Sequence, residues 1–200
     1  MHSRRISIVS RLDQMAALAS PARQELLDVL ARMGAASLAE IGAVLGRPSD
    51  GLYYHIRVLQ RVALVVPAGT RGRGGRNERL FRATASEFAL RYASSPPQRA
   101  RAVTAIVAGM LRLGIRDFRR GLANEHNRVA GLDRDLWALR TTGWLLPSQL
   151  RRVNRSMRTL SKDVSRPNRT GRLYAVTILL TPLDHRTCRT GRRPRKETAR

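Results

Sequence analysis

Apolar residues recur at helical intervals through the first third of the chain, and capping residues divide them into separate helices. The first predicted helix carries Ile8, Leu12, Met15 and Leu18 on one face. A second helix is predicted to begin at Ser20-Pro21, because serine is a good N-cap and proline fits the first helical position. Its apolar face is formed by Leu26, Leu27, Leu30 and Met33.

Two short helices joined by a tight polar turn are predicted next. Ser37 and Glu40 have the spacing of a capping box, so a helix is expected to begin there and to end at Gly46. After Gly46-Arg47-Pro48 a fourth helix is predicted over residues 49–61. Its buried stripe is formed by Leu52, Ile56 and Leu59. This arrangement is typical of a helix-turn-helix.

The periodicity then changes from helical to extended. Val62 to Val66 predicts a strand and Glu78 to Ala83 a returning strand, since both are short apolar or alternating runs. Ala68 to Asn77 holds four glycines and three arginines and is expected to be a loop. Residues 68–78 are therefore interpreted as the wing of a winged helix. Thr84 to Glu87 repeats the capping-box spacing, which predicts a further helix to about Tyr92.

The second half of the chain begins at the best candidate linker, residues 94–97, which read Ser-Ser-Pro-Pro. We therefore expect a winged helix-turn-helix DNA-binding domain over residues 1–93 and a C-terminal dimerisation and effector domain over 98–183. Residues 184–200 lack core residues and are expected to form a basic, disordered tail. The predicted fold class is mainly α with small β elements, and the C-terminal domain is expected to be α+β.

Three elements are predicted inside that C-terminal domain. A long helix runs to about Leu122, a second helix opens at Pro147-Ser148, and Arg172 to Leu180 alternates as a strand does. Leu136 to Leu145, which contains both tryptophans, allows another strand. The helix after Pro147 carries a seam at the 3-4 spacing of helix–helix contacts, formed by Leu150, Val153, Met157, Leu160 and Val164.

The predicted recognition helix presents polar and aromatic residues opposite its buried stripe. By helical spacing these candidate DNA-binding residues are Ser49, Asp50, Tyr53, Tyr54 and Arg57. The major groove admits one helix, and Arg57 can form a fork to guanine or clamp a phosphate there. Packing of Tyr54 against the first helices remains an alternative, and His55 is expected to pack rather than to read bases.

The candidate wing residues are Arg71, Arg73, Arg76 and Asn77. On a glycine-flexible hairpin the arginines can reach phosphates or the adjacent minor groove. A solvated charged loop is the alternative interpretation. The position of the segment, between two strands and directly after a helix-turn-helix, favours the wing.

Composition adds a strong excess of basic charge. The 200 residues include 38 Lys+Arg and 14 Asp+Glu, a formal net charge of +24, while a hydrophobic content of 42% excludes wholesale disorder. Such a charge implies a polyanionic partner or tolerance of one. Residues 1–93 carry 14 basic and 7 acidic side chains, and residues 94–200 carry 24 and 7. Most of the charge therefore lies outside the predicted DNA-reading domain.

Patterns for catalysis, cofactors and membranes are missing from the sequence. Cys188 is the only cysteine, so no cysteine-based metal site is expected. The four histidines are dispersed: His2, His55, His126 and His185. No phosphate-binding or dinucleotide-binding glycine motif occurs, and neither an enzyme nor a cofactor is expected. The longest charge-free apolar stretch is 11 residues, so we expect no membrane span and a cytoplasmic, nucleoid-associated location.

Three segments resemble the ArsR-like winged-helix transcriptional regulators. They are Leu18 to Leu27, Ser37 to Ile41 followed by Leu52 to Leu59, and Arg76-Asn77-Glu78 to Phe81-Arg82. The resemblance covers about residues 10–90 and implies a bacterial homodimer, usually a repressor, that reads a palindromic operator in double-stranded DNA. Metal-sensing members carry a Cys-x-Cys-type motif where this chain has Leu38 to Leu45, without cysteine. Residues 98–183 resemble the extra domain of a non-metal-sensing subgroup.

Two other interpretations concern the effector and the charge. Trp137, Trp144 and Tyr174 can line an apolar pocket for a small-molecule effector, although such aromatics are also typical of an ordinary core. The charge alone fits a non-specific nucleic-acid or ribosome-associated basic protein, which predicts equal binding to any DNA or RNA. The ordered helix-turn-helix signals favour the sequence-specific regulator.

Overall fold

The computed structural model describes residues 5–73, 76–92, 96–166 and 171–183, and for Arg73 and Arg76 it describes the backbone alone. In chain order the elements are β1 (Ile6–Val9), α1 (Leu12–Leu18), α2 (Pro21–Met33), β2 (Ala36–Ser37), α3 (Leu38–Leu45), α4 (Asp50–Arg61), β3 (Val65–Arg73), β4 (Arg76–Ala83), β5 (Glu87–Leu90), α5 (Pro97–Leu122) and α6 (Pro147–Val164). The fold is therefore mixed α and β, with helices predominating.

The hydrophobic core lies between α1 to α4 and a three-stranded antiparallel sheet in the order β2-β4-β3. Helix α2 is central, since it packs against α1, α3, α4, β4 and α5. The largest fully buried side chains include Met15, Leu26, Leu30, Ile41, Ile56, Leu59 and Leu64. Met15, Leu26, Leu30, Ile56 and Leu59 belong to the stripes that helical periodicity predicted, so the apolar pattern identified much of this core. Ile8 and Leu12, predicted on the same face of the first helix as Met15, are instead 55% and 45% exposed.

The predicted helix-turn-helix is confirmed as α3, a short turn and α4. Ser37 Oγ accepts a hydrogen bond from the Glu40 backbone N–H (3.3 Å), and Glu40 Oε2 accepts one from the Ser37 N–H (2.9 Å), which completes the capping box. Gly46 ends α3 with φ +62°, a left-handed conformation that glycine adopts without strain. Ser49 precedes α4 but its side chain makes no capping hydrogen bond.

The turn closes tightly on α3 at Gly42. A Cβ added at Gly42 would lie 2.6 Å from the carbonyl oxygen of Arg47, and the Arg47 N–H donates to the Gly42 carbonyl (2.9 Å). The backbone of the turn therefore packs directly on the backbone of α3, and a side chain at position 42 would push the two apart. This contact fixes the direction in which α4 leaves the turn.

The prediction of a helix after Thr84 is wrong, and so is the start of the first helix at Ile8. Residues 6–9 form β1, which pairs in parallel with β5, so that Ile6 lies beside Glu87 and Val9 beside Leu90. Ser86 Oγ bonds to both backbone groups of Arg5 rather than capping a helix. Long-range strand pairing thus overrides the local capping signal.

The wing is more regular than the sequence indicated. Strands β3 and β4 extend to Arg73 and from Arg76, with Arg71 opposite Glu78 and Gly72 opposite Asn77. The expected loop over residues 68–77 is therefore mostly paired strand, and residues 74–75 at its tip lie outside the described part. The register shifts between Pro67 and Thr70, where Gly69 has φ +90°.

Helix α5 joins the N-terminal core through its first half. Ile106 is 3% exposed and belongs to the core cluster, and Gly109 approaches Gln24 so closely that a Cβ there would lie 2.6 Å from its Nε2. Gln24 Nε2 donates to the carbonyls of Leu18 (2.5 Å) and Ile106 (2.9 Å). One buried amide therefore connects α1, α2 and α5.

The chain beyond α5 is helix α6 and irregular backbone. The predicted helix from Pro147 is confirmed, whereas the predicted strand over residues 172–180 and the one allowed over 136–145 do not form. Residues 171–183 stay exposed, and their apolar alternation has no partner strand among the described residues. A strand needs such a partner for its backbone hydrogen bonds, and here the local pattern alone was not sufficient.

Candidate nucleic-acid interface

Helix α4 is buried on one side and open on the other. Leu52, Ile56 and Leu59 are at most 3% exposed, while Tyr53 is 45% and Tyr54 62% exposed. The Arg57 guanidinium lies 5.9 Å from the Tyr53 ring centroid, within the range of a cation–π contact. Asp50 is exposed at the helix start, and Ser49 before it is half-buried. The candidate residues of the predicted recognition helix therefore share one open face, at the edge of which Ser49 lies.

His55 lies at the border between these two faces. Its ring is half-buried and stands edge-on to Tyr54 with 5.6 Å between centroids. Burial, helped by the positive charges of Arg23 and Arg47, lowers the pKa of His55 below its usual value. The imidazole is therefore neutral at neutral pH, and its buried Nδ1 has no hydrogen-bond partner in the described part of the chain.

The wing is connected to α3 by Arg71. Its Nη2 lies 2.6 Å from Glu40 Oε1 and 3.9 Å from Glu78 Oε2, and the side chain remains 45% exposed. Glu40 also caps α3, so one carboxylate links the helix start to the wing strand. Asn77 is exposed beside Gly72. The side chains of Arg73 and Arg76, the other two candidates, lie outside the described residues.

Two exposed arginines of this surface were not among the sequence candidates. Arg61 ends α4, and Arg79 lies on β4 opposite Thr70. Neither has a carboxylate within ion-pair distance among the described residues. The sequence did contain a signal for Arg79, because the strand predicted over Glu78 to Ala83 has one face toward solvent.

A carboxylate behind the turn joins α5 to the helix-turn-helix. Glu25 receives a two-pronged ion pair from Arg116 of α5 (2.6 and 3.0 Å) and a second from Arg47 of the turn (2.8 Å). Its side chain is only 13% exposed. The bond to Glu25 and a second to Asp117 raise the pKa of Arg116 further above its ordinary value. Spacing could not reveal this cluster, since its members are 22 and 91 residues from Glu25.

The three candidate effector-pocket aromatics lie on the surface of the C-terminal part. Trp137 is 65% exposed, Trp144 76% and Tyr174 49%. Arg134 covers the Trp137 ring at 4.3 Å, while the Tyr174 hydroxyl donates to Asp135. That hydrogen bond raises the pKa of Tyr174 and lowers the pKa of Asp135.

A cavity of about 220 Å³ lies elsewhere, between α2, β5 and α6. It is mostly polar and is lined by Asp28, Ala31, Arg32, Ser86, Glu87, Phe88, Ser161 and Ser165. Asp28 keeps some exposed surface as a residue, but partial burial of its carboxyl against the cavity walls raises its pKa to about 6. Arg32 lowers that pKa in part, and Glu25 adds to the increase.

Neither a metal cluster nor a membrane-spanning helix occurs in the described ranges. No group of three or more histidine, cysteine or acidic side chains there has the geometry to hold a metal ion. No helix in the same ranges is both long and apolar enough to span a membrane.

Comparison with known families identifies the region that carries α4. Residues 18–67, a quarter of the chain, match a family model described as a helix-turn-helix domain. The match begins at the last residue of α1, contains α2, α3, the turn and α4, and ends within β3. No curated protein matches the chain. Because the helix-turn-helix is a DNA-binding module, the match supports a DNA-binding regulator.

Proposed function

We propose that this protein is a sequence-specific transcriptional regulator of the ArsR-like winged-helix type, in the subgroup that does not sense metals. Residues 49–61 enter the major groove and residues 68–78 act as the wing. The observation that carries the proposal is the open face of Tyr53, Tyr54 and Arg57 on a helix that is buried on its other side, within a matched helix-turn-helix domain.

Base recognition rests on the chemistry of that face. Arg57 offers a two-pronged donor for guanine O6 and N7, and the Tyr53 ring beside it limits the positions its guanidinium takes. Asp50 at the start of α4 is an acceptor suited to the cytosine amino group, and Tyr54 supplies a hydroxyl and an apolar ring face. Ser49 is close enough to the helix start to bond a phosphate.

The wing residues serve the DNA backbone in this proposal. Arg71, Arg73, Arg76 and Asn77 bind phosphates or enter the adjacent minor groove, which positions the protein without choosing a base. Since Arg71 also pairs with Glu40, its contact with DNA would be coupled to the start of α3.

The proposed assembly is a homodimer on a palindromic operator, with repression as its effect. The division into a DNA-binding unit over residues 1–93, a linker at 94–97, a dimerisation and effector unit over 98–183 and a basic tail over 184–200 belongs to this proposal. Exposed apolar residues on α5, α6 and the segment after α6 support it, because a second copy would cover them. They include Leu111, Ile115, Leu150, Leu160, Val176 and Ile178.

The oligomeric state has a direct test. Sedimentation equilibrium at micromolar concentration should give twice the chain mass, and operator half-sites should lie about 10–10.5 base pairs apart. A monomer at these concentrations, on its own and on DNA, would contradict the homodimer.

A small-molecule effector near Trp137, Trp144 and Tyr174 would quench tryptophan fluorescence on binding, and Trp144→Phe would reduce that signal.

A gel shift with the DNA upstream of the protein's own coding sequence tests the function itself. The wild-type chain should shift this fragment at moderate salt against excess random DNA. Arg57→Ala should lose about 1–3 kcal/mol of discrimination, whereas Arg101→Ala, an exposed arginine on α5, should bind as the wild type does. Equal binding to any duplex, unchanged by Arg57→Ala, would instead favour the non-specific nucleic-acid or ribosome-associated protein.

A further inference from the structure

Most carboxylates of the described residues are paired with arginines. Glu25 pairs with Arg47 and Arg116, and Glu40 with Arg71. Outside the core and the wing, Asp13 pairs with Arg11, Asp135 with Arg128 and Arg172, and Asp163 with Arg166. Because basic residues outnumber acidic ones, groups of exposed cations in the described part of the chain remain without a carboxylate of that part within ion-pair distance.

The most regular of these surfaces is on α6. Its cations recur at steps of 4, 3 and 4, which places them in one row along the helix: Arg151, Arg155, Arg158 and Lys162. All four are exposed, and none has a carboxylate within ion-pair distance among the described residues. We call this row the α6 basic stripe. The apolar seam of α6 lies on the opposite side, so the helix separates its charge from its apolar residues.

We propose that the α6 basic stripe binds the phosphate backbone of duplex DNA outside the segment that α4 reads. This deepens the proposed function and rests on it for the presence of DNA. The stripe would add affinity and association rate but no sequence preference, because phosphates are the same at every base pair.

The dimensions of the stripe fit a DNA backbone. Arg151 and Lys162 are 11 residues apart, which corresponds to about 16 Å along a helix. Phosphates of one strand recur about every 3.4 Å along the DNA axis, but the strand also winds around that axis, so a straight helix of this length lies beside about two or three of them. The four cations of the stripe thus supply at least one positive charge for each of these phosphates.

The position of α6 ties the stripe to the domain that holds the recognition helix. Arg32 of α2 donates to the Ser165 carbonyl at the end of α6 (3.2 Å) and to the Ser86 carbonyl before β5 (2.8 Å). Helix α2 also packs against α4. Through the hydrogen bond to Ser165 the end of α6 is held beside α2, the helix on which α4 packs.

A salt titration tests the stripe with a labelled 40-base-pair duplex of random sequence and the full chain, followed by fluorescence anisotropy. The stripe variant carries Arg151→Gln, Arg155→Gln, Arg158→Gln and Lys162→Gln. The matched control removes four exposed charges from α5, through Arg101→Gln, Arg112→Gln, Arg119→Gln and Arg120→Gln. Circular dichroism shows whether both variants are folded, and a third variant with lysine at the three arginine positions keeps the charge.

The expected result is a large change for the stripe variant alone. Its slope of log Kobs against log salt should fall by about 2–3, since each lost phosphate contact removes about 0.9, and its affinity near 0.1 M salt should fall about tenfold or more. The control should change its slope by less than about 1, and the lysine variant should bind as the wild type does. A stripe variant with the wild-type slope, or a control that loses as much, overturns the proposal.

Two further arms of the experiment distinguish a membrane surface from DNA, and the stripe from the base-reading helix. Vesicles with about 30% phosphatidylserine test a membrane surface. Binding to them that depends on the stripe, with unchanged DNA slopes, would overturn the DNA assignment. The titration is repeated with a duplex from upstream of the protein's own coding sequence, for the wild type and for Arg57→Ala, to report on base reading. Loss of slope in the stripe variant, with equal binding of the wild type to both duplexes, would reject the proposed function and retain the stripe.

Discussion

The region up to β5 buries most of its large apolar side chains, whereas the region after α5 leaves most of them exposed. In the first, Met15, Leu26, Leu30 and Ile56 are fully buried within one core. In the second, α6 has no buried residue, and apolar side chains such as Trp144 and Leu173 are more than half exposed. The first region therefore completes its core within one chain, whereas the second carries surface that gains stability only when something covers it.

The two regions also differ in how far their basic side chains are neutralised by nearby acids. Acidic residues of the first region, such as Glu25 and Glu40, join arginines across separate elements. On α6 four cations lie in a row without an acid within ion-pair distance among the described residues. The net charge of +24 is therefore unevenly neutralised, and the α6 part of the excess lies away from the helix expected to read bases.

Removing apolar volume from each region should give the largest difference. Ile56→Ala deletes a side chain that is 0% exposed and should lower the free energy of unfolding by about 2–5 kcal/mol. Leu160→Ala, at 42% exposure on α6, should cost less than about 1 kcal/mol in the monomer. Urea denaturation at concentrations where the chain is monomeric measures both. Equal costs would remove the contrast between the two regions.

Two glycines of the helix-turn-helix should respond in opposite ways to alanine. Gly42→Ala places a Cβ against the Arg47 carbonyl and should destabilise the protein by about 1–3 kcal/mol. Gly51→Ala meets no atom within 4 Å and should be neutral or stabilising by up to about 1 kcal/mol, because alanine favours a helix. Chemical denaturation of both variants decides this. A tolerated Gly42→Ala would mean that the turn does not close on α3 as described.

The Glu25 cluster should contribute a comparable amount. Glu25→Gln removes the charge that Arg47 and Arg116 share and should cost about 1–3 kcal/mol. The exposed Glu125→Gln should change stability by less than about 0.5 kcal/mol. Thermal denaturation of both, with a double-mutant cycle to Arg116→Gln, measures the coupling. A cycle energy near zero would show that α5 and the turn are not linked through this carboxylate.

The smallest effect is expected at Asp28 and should depend on pH. Its folded-state pKa of about 6 lies above the ordinary 3.8, so the folded protein holds this proton more tightly than the unfolded chain does. The resulting stability is fully present below about pH 4 and is lost as pH rises through 6. Asp28→Asn should therefore raise Tm by about 2–4 °C at pH 7.5 and leave it unchanged near pH 4. An equal shift at both pH values would contradict a desolvated carboxyl.

The helices were predictable where caps and apolar period agreed. Ser37 and Glu40 marked the start of α3, Gly46 its end, and Pro147 the start of α6, because each of these signals acts within one turn of helix. The face of α4 followed in the same way from the spacing of Leu52, Ile56 and Leu59. The residues that carry the proposed base contacts could thus be chosen without coordinates.

Features that depend on distant partners could not be predicted. The capping spacing of Thr84 to Glu87 gave way to β5 because β1, about 80 residues earlier, supplies a partner strand. Conversely, the alternating residues 172–180 found no partner among the described residues and stayed irregular. The bridge from Glu25 to Arg116 and the Gln24 contact with Gly109 belong to the same class, since only packing brings these positions together.

A specificity ratio, measured in one titration, tests most directly whether α4 reads the sequence. Duplexes selected from a random library by the wild-type chain are compared with scrambled duplexes at 0.15 M salt. We expect a ratio of at least about 10³ for the wild type, a collapse of that ratio in a Tyr53→Ala, Arg57→Ala variant, and an unchanged ratio with weaker overall binding in the α6 stripe variant. A wild-type ratio near one, or a ratio that the α4 variant retains, would contradict the claim that α4 reads the sequence.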